Sequence, residues 1–241
     1  MDWAWDIHRS NIEQRSTNTV TMPLFDEYKW FERGADYQRL QSLTWGELNE
    51  HRPCYPHPMK TFRAFVETPM ESTKVVIIGL DPYPRPAHPI GLSFGIPAEE
   101  AEKGLPSSLR NIAAELKADV GADLVDPTLL SWAHQGVLMM NAKLSVGDRP
   151  QSHAHFDWES FTGPLLTFLT ERATHPIVFI LLGSKTQRFA KKYISHSKHE
   201  HVMIQSTHPC RYSASKGFLG SRIFSRTNTC LQSLGLQKIS W

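Results

Sequence analysis

Residues 74–84 read Lys-Val-Val-Ile-Ile-Gly-Leu-Asp-Pro-Tyr-Pro. The short branched run that opens this stretch is apolar on both faces of an extended chain, which suits a strand buried inside a parallel sheet. Three further runs have the same character: Val137-Leu-Met-Met140, Ile177-Val-Phe-Ile-Leu-Leu182 and Val202-Met-Ile204. Between and after them lie helical patterns: Ser107 to Lys117 with Pro106 at its start, Trp158 to Arg172, Lys185 to Tyr193, and Ser221 to Leu234 ended by Gly235. Strands alternating with helices predict a three-layer α/β/α sandwich with a central, mainly parallel, four-stranded sheet. Ligands in such sheets bind outside the carboxyl ends of the strands, so the segments that follow the runs are where chemistry is expected.

The rest of the chain fits one such domain. Its 241 residues are within the range of a single α/β core, and a 40% hydrophobic share with 21% charged residues argues against wholesale disorder. The first 40 residues are polar and without a clean period, which predicts a partly ordered N-terminal extension (1–40) before a folded domain (41–241) that starts near Leu43. No apolar run reaches about 18 residues, the length needed to cross a membrane, and the N-terminus lacks a basic stretch followed by an apolar one. The chain is expected to stay inside a cell, in the cytoplasm of a bacterium or the nucleus for a eukaryotic or viral source. Cys54, Cys210 and Cys230 are too few and too widely spaced for a disulfide framework or a zinc cluster, so free thiols and no metal are expected.

Charge is unevenly spread. Residues 183–226 hold nine Lys or Arg against Glu200 alone, a balance of +8, while the remaining 17 Lys and Arg face 23 Asp and Glu, or −6. Such a basic lobe is either a solvated helix face or an electrostatic footprint for a polyanion.

Each apolar run is followed at once by an unusual polar segment: Gly79-Leu-Asp-Pro-Tyr-Pro84, Asn141, Gly183-Ser184-Lys185, and Thr207-His-Pro-Cys-Arg-Tyr-Ser213. In an open parallel sheet these segments converge on one edge, where a carboxylate, an amide, an imidazole and rigid aromatics would share a cleft. With Gly91-Leu-Ser-Phe94, Leu105-Pro-Ser-Ser-Leu109, Trp132-Ala-His-Gln-Gly-Val-Leu138, Ser152-His-Ala154, Gly217-Phe218 and Ile239-Ser-Trp241, their order and spacing from about Leu43 to Trp241 resemble the uracil-DNA glycosylase family in its uracil-specific branch.

The resemblance implies hydrolysis of the N-glycosidic bond of uracil in DNA by base flipping and water attack, leaving an abasic site, as in base excision repair. That chemistry builds positive charge on the sugar and negative charge on the departing base, so it needs a carboxylate near the first and donors near the second. Asp81 is the only acid in the four segments and the candidate for holding the water and stabilising the sugar cation; read alone it is equally a turn-capping Asp. The family pattern gives His208 the task of donating, as a neutral imidazole, to uracil O2, whereas alone it reads as a turn histidine packed on Pro209. Asn141 can pair with both O4 and N3 of uracil, a pattern that cytosine reverses, or it is a strand-end turn residue. Phe94 would stack on the base, Tyr83 would close the space beside C5, and Leu80 would touch the base through its backbone; Phe94 and Tyr83 also read as core aromatics. Pro106, Ser107, Ser108, Gly183, Ser184 and Ser213 would grip phosphates from small turns at helix starts, although ordinary helix caps look the same.

Two departures from the family stand out. Leu80 and Pro84 replace its usual Gln and His, and Pro84 removes a donor near the phosphate. Cys210-Arg211-Tyr212 replaces its Ser-Pro-Leu, so Tyr212 would fill the gap left by the flipped base and Arg211 would reach a phosphate. Three functions are therefore open at this level: a uracil-DNA glycosylase, a same-fold glycosylase for another or modified pyrimidine, and a DNA-binding, replication-associated module without catalysis. Single- and double-stranded DNA is the expected partner, of a monomer without cofactor, with any protein partner bound through residues 1–40.

Overall fold

The computed structural model of the chain describes residues 34–150, 152–196 and 198–241. Strands β1 (Val75–Gly79), β2 (Val137–Asn141), β3 (Val178–Leu182) and β4 (Val202–Ser206) form one sheet in the order β2-β1-β3-β4, with every neighbour parallel. The four apolar runs are these strands to within two residues. The differences matter: β1 takes in Gly79 and β2 takes in Asn141, and those two residues are register partners at the last rung of the β1–β2 ladder.

Helices α1 (Gly34–Asn49), α2 (Arg63–Glu67), α3 (Ala98–Ala101), α4 (Ser107–Val120), α5 (Leu130–Ala133), α6 (Glu159–Arg172), α7 (Ser184–Tyr193) and α8 (Ile223–Ser233) cover the two faces. Side chains alternate across the pleat. Val76, Ile78, Leu138, Met140, Phe179 and Leu181 meet Leu40, Phe65, Leu166 and Phe189, from α1, α2, α6 and α7. Val75, Ile77, Val137, Met139, Val178 and Ile180 meet Leu109, Leu116, Trp132 and Phe224, from α4, α5 and α8. Burying each such branched or aromatic side chain contributes roughly 1.5–3 kcal/mol, which is why all five residues of β1, β2 and β3 are buried.

The first described helix starts before the domain start expected near Leu43. Helix α1 runs through that position, and Leu40 has no exposed surface and packs in the first core layer, so the core reaches into the segment expected to be an extension. Composition missed this because α1 is polar on average and contributes few apolar contacts. Residues 1–33 lie outside the described residues. Among the described residues no helix is long and apolar enough to cross a membrane.

β1 sits between β2 and β3, and the connections from β1 and β3 leave in opposite directions, so their carboxyl ends form a topological switch point. A buried histidine sits at the opposite end of the sheet. His201 is 4% exposed, and its Nδ1 accepts the backbone N–H of Ile177 at 3.0 Å. Burial, helped by repulsion from His196, His199 and His175, pushes its imidazole from an ordinary value of 6.5 down to about 4. The unfolded chain therefore takes up this proton first, and stability is lost as pH falls from 6.5 toward 4. Urea midpoints measured across that window are expected to fall for the wild type and to fall less steeply for His201→Gln; an unchanged slope would remove His201 from the acid response.

Candidate active site

The loops at the carboxyl edge enclose a cleft of about 580 Å³. Of the residues singled out from sequence, Leu80, Asp81, Tyr83, Phe94, Asn141 and His208 line it, together with Pro106, Ser107, Ser108 and Tyr212. Gly183, Ser184, Arg211 and Ser213 do not line it. Among the described residues of its wall, Asp81 is the sole carboxylate.

Asn141 is held by a close backbone approach. A Cβ placed on Gly79 would stand 2.0 Å from Asn141 Oδ1 and 3.0 Å from Ser93 Cβ. Only glycine leaves room for the carboxamide at this rung. The ladder then continues past the strands, with Ala142 N donating to Gly79 O and Lys143 N to Leu80 O, both at 2.9 Å. Those bonds pin the turn that carries Asp81 into the cleft. Asn141 is 7% exposed, and its side chain makes no hydrogen bond to a described residue. A buried amide without partners is costly, by about 1–3 kcal/mol, unless something else arrives to pair with it.

His208 carries a defined proton. Its Nδ1 accepts the N–H of Cys210 at 3.1 Å, so the hydrogen of the neutral ring sits on Nε2. Burial holds its pKa below the ordinary histidine value. The ring is therefore a neutral donor at pH 7. Phe94 stands next to it, ring centroids 6.0 Å apart, with a left-handed backbone (φ +64°) unusual for an aromatic residue. The Tyr83 hydroxyl donates to Phe94 O at 3.4 Å and its ring meets His88 edge to face, so Tyr83 and Phe94 form one wall. Burial also pushes the Tyr83 phenol up, keeping it protonated.

The loop after β4 is tied from several sides. The Ser213 hydroxyl donates to His208 O at 2.7 Å and Thr207 Oγ1 to Ser213 O at 2.8 Å, so Ser213 helps shape the His208 turn. It stands before a single 3-10 turn, Ala214–Lys216, and not before an α-helix as its sequence suggests. Gly183 (φ +101°) opens α7 beside His208: a Cβ there would come 3.1 Å from His208 Cβ. Tyr212 is 68% exposed, with the Arg211 guanidinium 4.5 Å above its ring and bonded to its hydroxyl.

Sequence reading overlooked Asn111 and Glu115. Asn111 Nδ2 on α4 donates to Pro209 O at 2.7 Å, joining the Pro106–Ser108 wall to the histidine loop. Glu115, 1% exposed, accepts the N–H groups of Gly220 and Arg222 and anchors the far end of the same loop. Both are ordinary helix-surface residue types, and only the tertiary contact distinguishes them.

Three comparisons bear on this geometry. The model of the Uracil DNA glycosylase superfamily matches residues 65–232. The chain is similar to a protein named Uracil-DNA glycosylase from Brevibacillus brevis, 44% identical over 215 residues, which cover 88% of this chain and 89% of the relative. A Bacillus licheniformis protein of the same name is 42% identical over 207 residues, covering 85% and 88%. Among solved structures, that of mimivirus uracil-DNA glycosylase superposes with a TM-score of 0.77 at 27% identity, covering 90% of this chain and 85% of that one.

The protonation of His208 can be read directly. In nitrogen NMR, Nδ1 is expected as the bare nitrogen and Nε2 as the protonated one, and the ring is expected to take up its second proton at a pH below the ordinary histidine value. A proton on Nδ1, or titration at or above the ordinary value, would contradict the donor assignment.

Proposed function

The chain belongs to the uracil DNA glycosylase superfamily, and we infer from that membership and from the lining of the cleft how this member works. It is a hydrolase of N-glycosyl bonds that excises uracil from DNA. We propose that the flipped nucleotide enters the cleft with its uracil between Phe94 and the end of β2. Asn141 then donates to O4 and accepts from N3–H, and the ring of Tyr83 closes the C5 side against a methyl group. The observation that carries this reading is the unpaired Asn141 amide seated on Gly79.

The bond between uracil N1 and sugar C1′ breaks with its electron pair going to the base, where the anion is shared between N1 and O2. His208 Nε2–H donates to O2 as that charge develops, and the neutral ring loses no proton in doing so. The carboxylate of Asp81 opposes the cationic sugar and accepts a proton from the attacking water, whose oxygen bonds to C1′. Asp81 then gives its proton to solvent and the uracil anion takes one up, so the products are free uracil and an abasic sugar in an uncut strand. Leu80 keeps the backbone carbonyl through which its turn is pinned, so replacement of the family's Gln side chain leaves the position of Asp81 intact. The first turn of α4, with Ser107 and Ser108 on the cleft wall, directs backbone amides toward a flanking phosphate. Exposed Tyr212, backed by Arg211, is the group that fills the gap left in a duplex.

A panel of oligonucleotides carrying one uracil, cytosine, 5-methylcytosine or thymine tests the base assignment. Uracil is expected to be released and the other three left in place, with single-stranded substrate cut at least as fast as duplex. Asp81→Asn is expected to lower the release rate by about 10²- to 10³-fold or more while oligonucleotide affinity persists. Release of a cytosine derivative in place of uracil would replace this reading with that of a glycosylase for another pyrimidine.

A further inference from the structure

Next to the cleft, on the face of the sheet covered by α6 and α7, lies a second open pocket of about 350 Å³. Leu80, Ala142 and Phe189 give it an apolar floor, and Lys143, Lys185, Arg188 and Lys192 stand around it with one acid, Glu159. Lys192 is paired with Glu159 at 2.9 Å. The side chains of Lys143, Lys185 and Arg188 have no ion-pair or hydrogen-bond partner among the described residues. Lys143 also lies within electrostatic reach of Glu159, so four cations from two separate segments stand around a single acid, and that excess of positive charge favours an anion that bridges them. Leu80 lines this hollow and the catalytic cleft alike, so the two are neighbours across a single side chain.

We propose that this pocket seats a flank of the substrate strand, with Lys143, Lys185 and Arg188 on the phosphates of nucleotides next to the one in the cleft and the floor of Leu80 and Phe189 under their sugars or bases. The proposal rests on the DNA reading of the cleft and extends it. Continuity across Leu80 favours a strand already held in the cleft over an unrelated acidic protein, and an apolar floor beneath cations suits a nucleotide better than a bare ion. Leu80 itself gains a reason: a leucine makes a dry shared wall where a glutamine would place a polar amide. Lys191, also on α7 and exposed, does not line the pocket and serves as an internal control.

The experiment compares wild type, the triple variant Lys143→Ala/Lys185→Ala/Arg188→Ala, and Lys191→Ala on two single-stranded substrates, a 15-mer and a trinucleotide, each with one central uracil. For the triple variant KM on the 15-mer is expected to rise about tenfold or more with kcat unchanged, and the trinucleotide to be affected much less. The dependence of log KM on log salt should become shallower by about 2, since each single-strand phosphate contributes roughly 0.7. Lys191→Ala should leave both substrates alone. Equal losses on both substrates, losses matched by Lys191→Ala, or no loss would overturn the proposal. Anisotropy of a uracil-free 15-mer reads the pocket separately, because absent uracil release by the wild type would count against the cleft's function and leave this binding comparison standing.

Discussion

Gly79 and Asn141 meet at the last rung of the β1–β2 ladder, and the site depends on that contact. A parallel register fixes which residues face each other, and here it sets a residue without a side chain opposite one whose amide must be buried yet unpaired. Two more backbone bonds beyond the rung carry the pairing into the turn of Leu80 and Asp81. One register thus positions both Asn141, proposed to read the base, and Asp81, proposed to oppose the sugar cation. A slip by one residue would turn both away from the cleft.

The opposite wall is assembled differently. His208 follows β4, at the far side of the sheet from β2, and reaches the cleft only because its loop is drawn in by Ser213, Asn111 and, further along, Glu115. That loop also settles the chemistry of the imidazole: the N–H of Cys210 occupies Nδ1 and burial disfavours a second proton, which leaves a neutral Nε2–H donor. The family's Ser-Pro-Leu is absent here, yet the backbone of Cys210 supplies the bond that defines the tautomer. That bond comes from a main-chain N–H, which a change of side chain leaves in place.

Much of this was legible in the sequence. The four apolar runs, the helices between them and the polar segments after the strands depend on local pattern, and local pattern placed Asp81, Asn141 and His208 at one edge. What was not legible depends on contacts between distant residues. Gly79 reads as a turn glycine until its partner across the ladder is known. Asn111 and Glu115 are unremarkable on a helix, and Lys143 joins Lys185 and Arg188 only through the packing of α7 against the sheet. The helix that runs through Leu43 was not legible because α1 contributes only a few apolar residues, among them Leu40, to a core that composition alone does not reveal. Gly183 and Ser213, expected to grip phosphates, both touch the histidine loop and do not line the cleft, a placement that only the tertiary contacts reveal.

The central claim is that Gly79 acts through Asn141, and a double-mutant cycle on uracil release tests it most directly. Rates for wild type, Gly79→Ala, Asn141→Ala and the double variant would be measured alongside their thermal melts. The account predicts that Gly79→Ala loses most activity in a folded protein, because the added Cβ displaces the carboxamide, and that the double variant is no slower than Asn141→Ala alone. Losses that multiply, or a Gly79→Ala enzyme as fast as wild type, would contradict it.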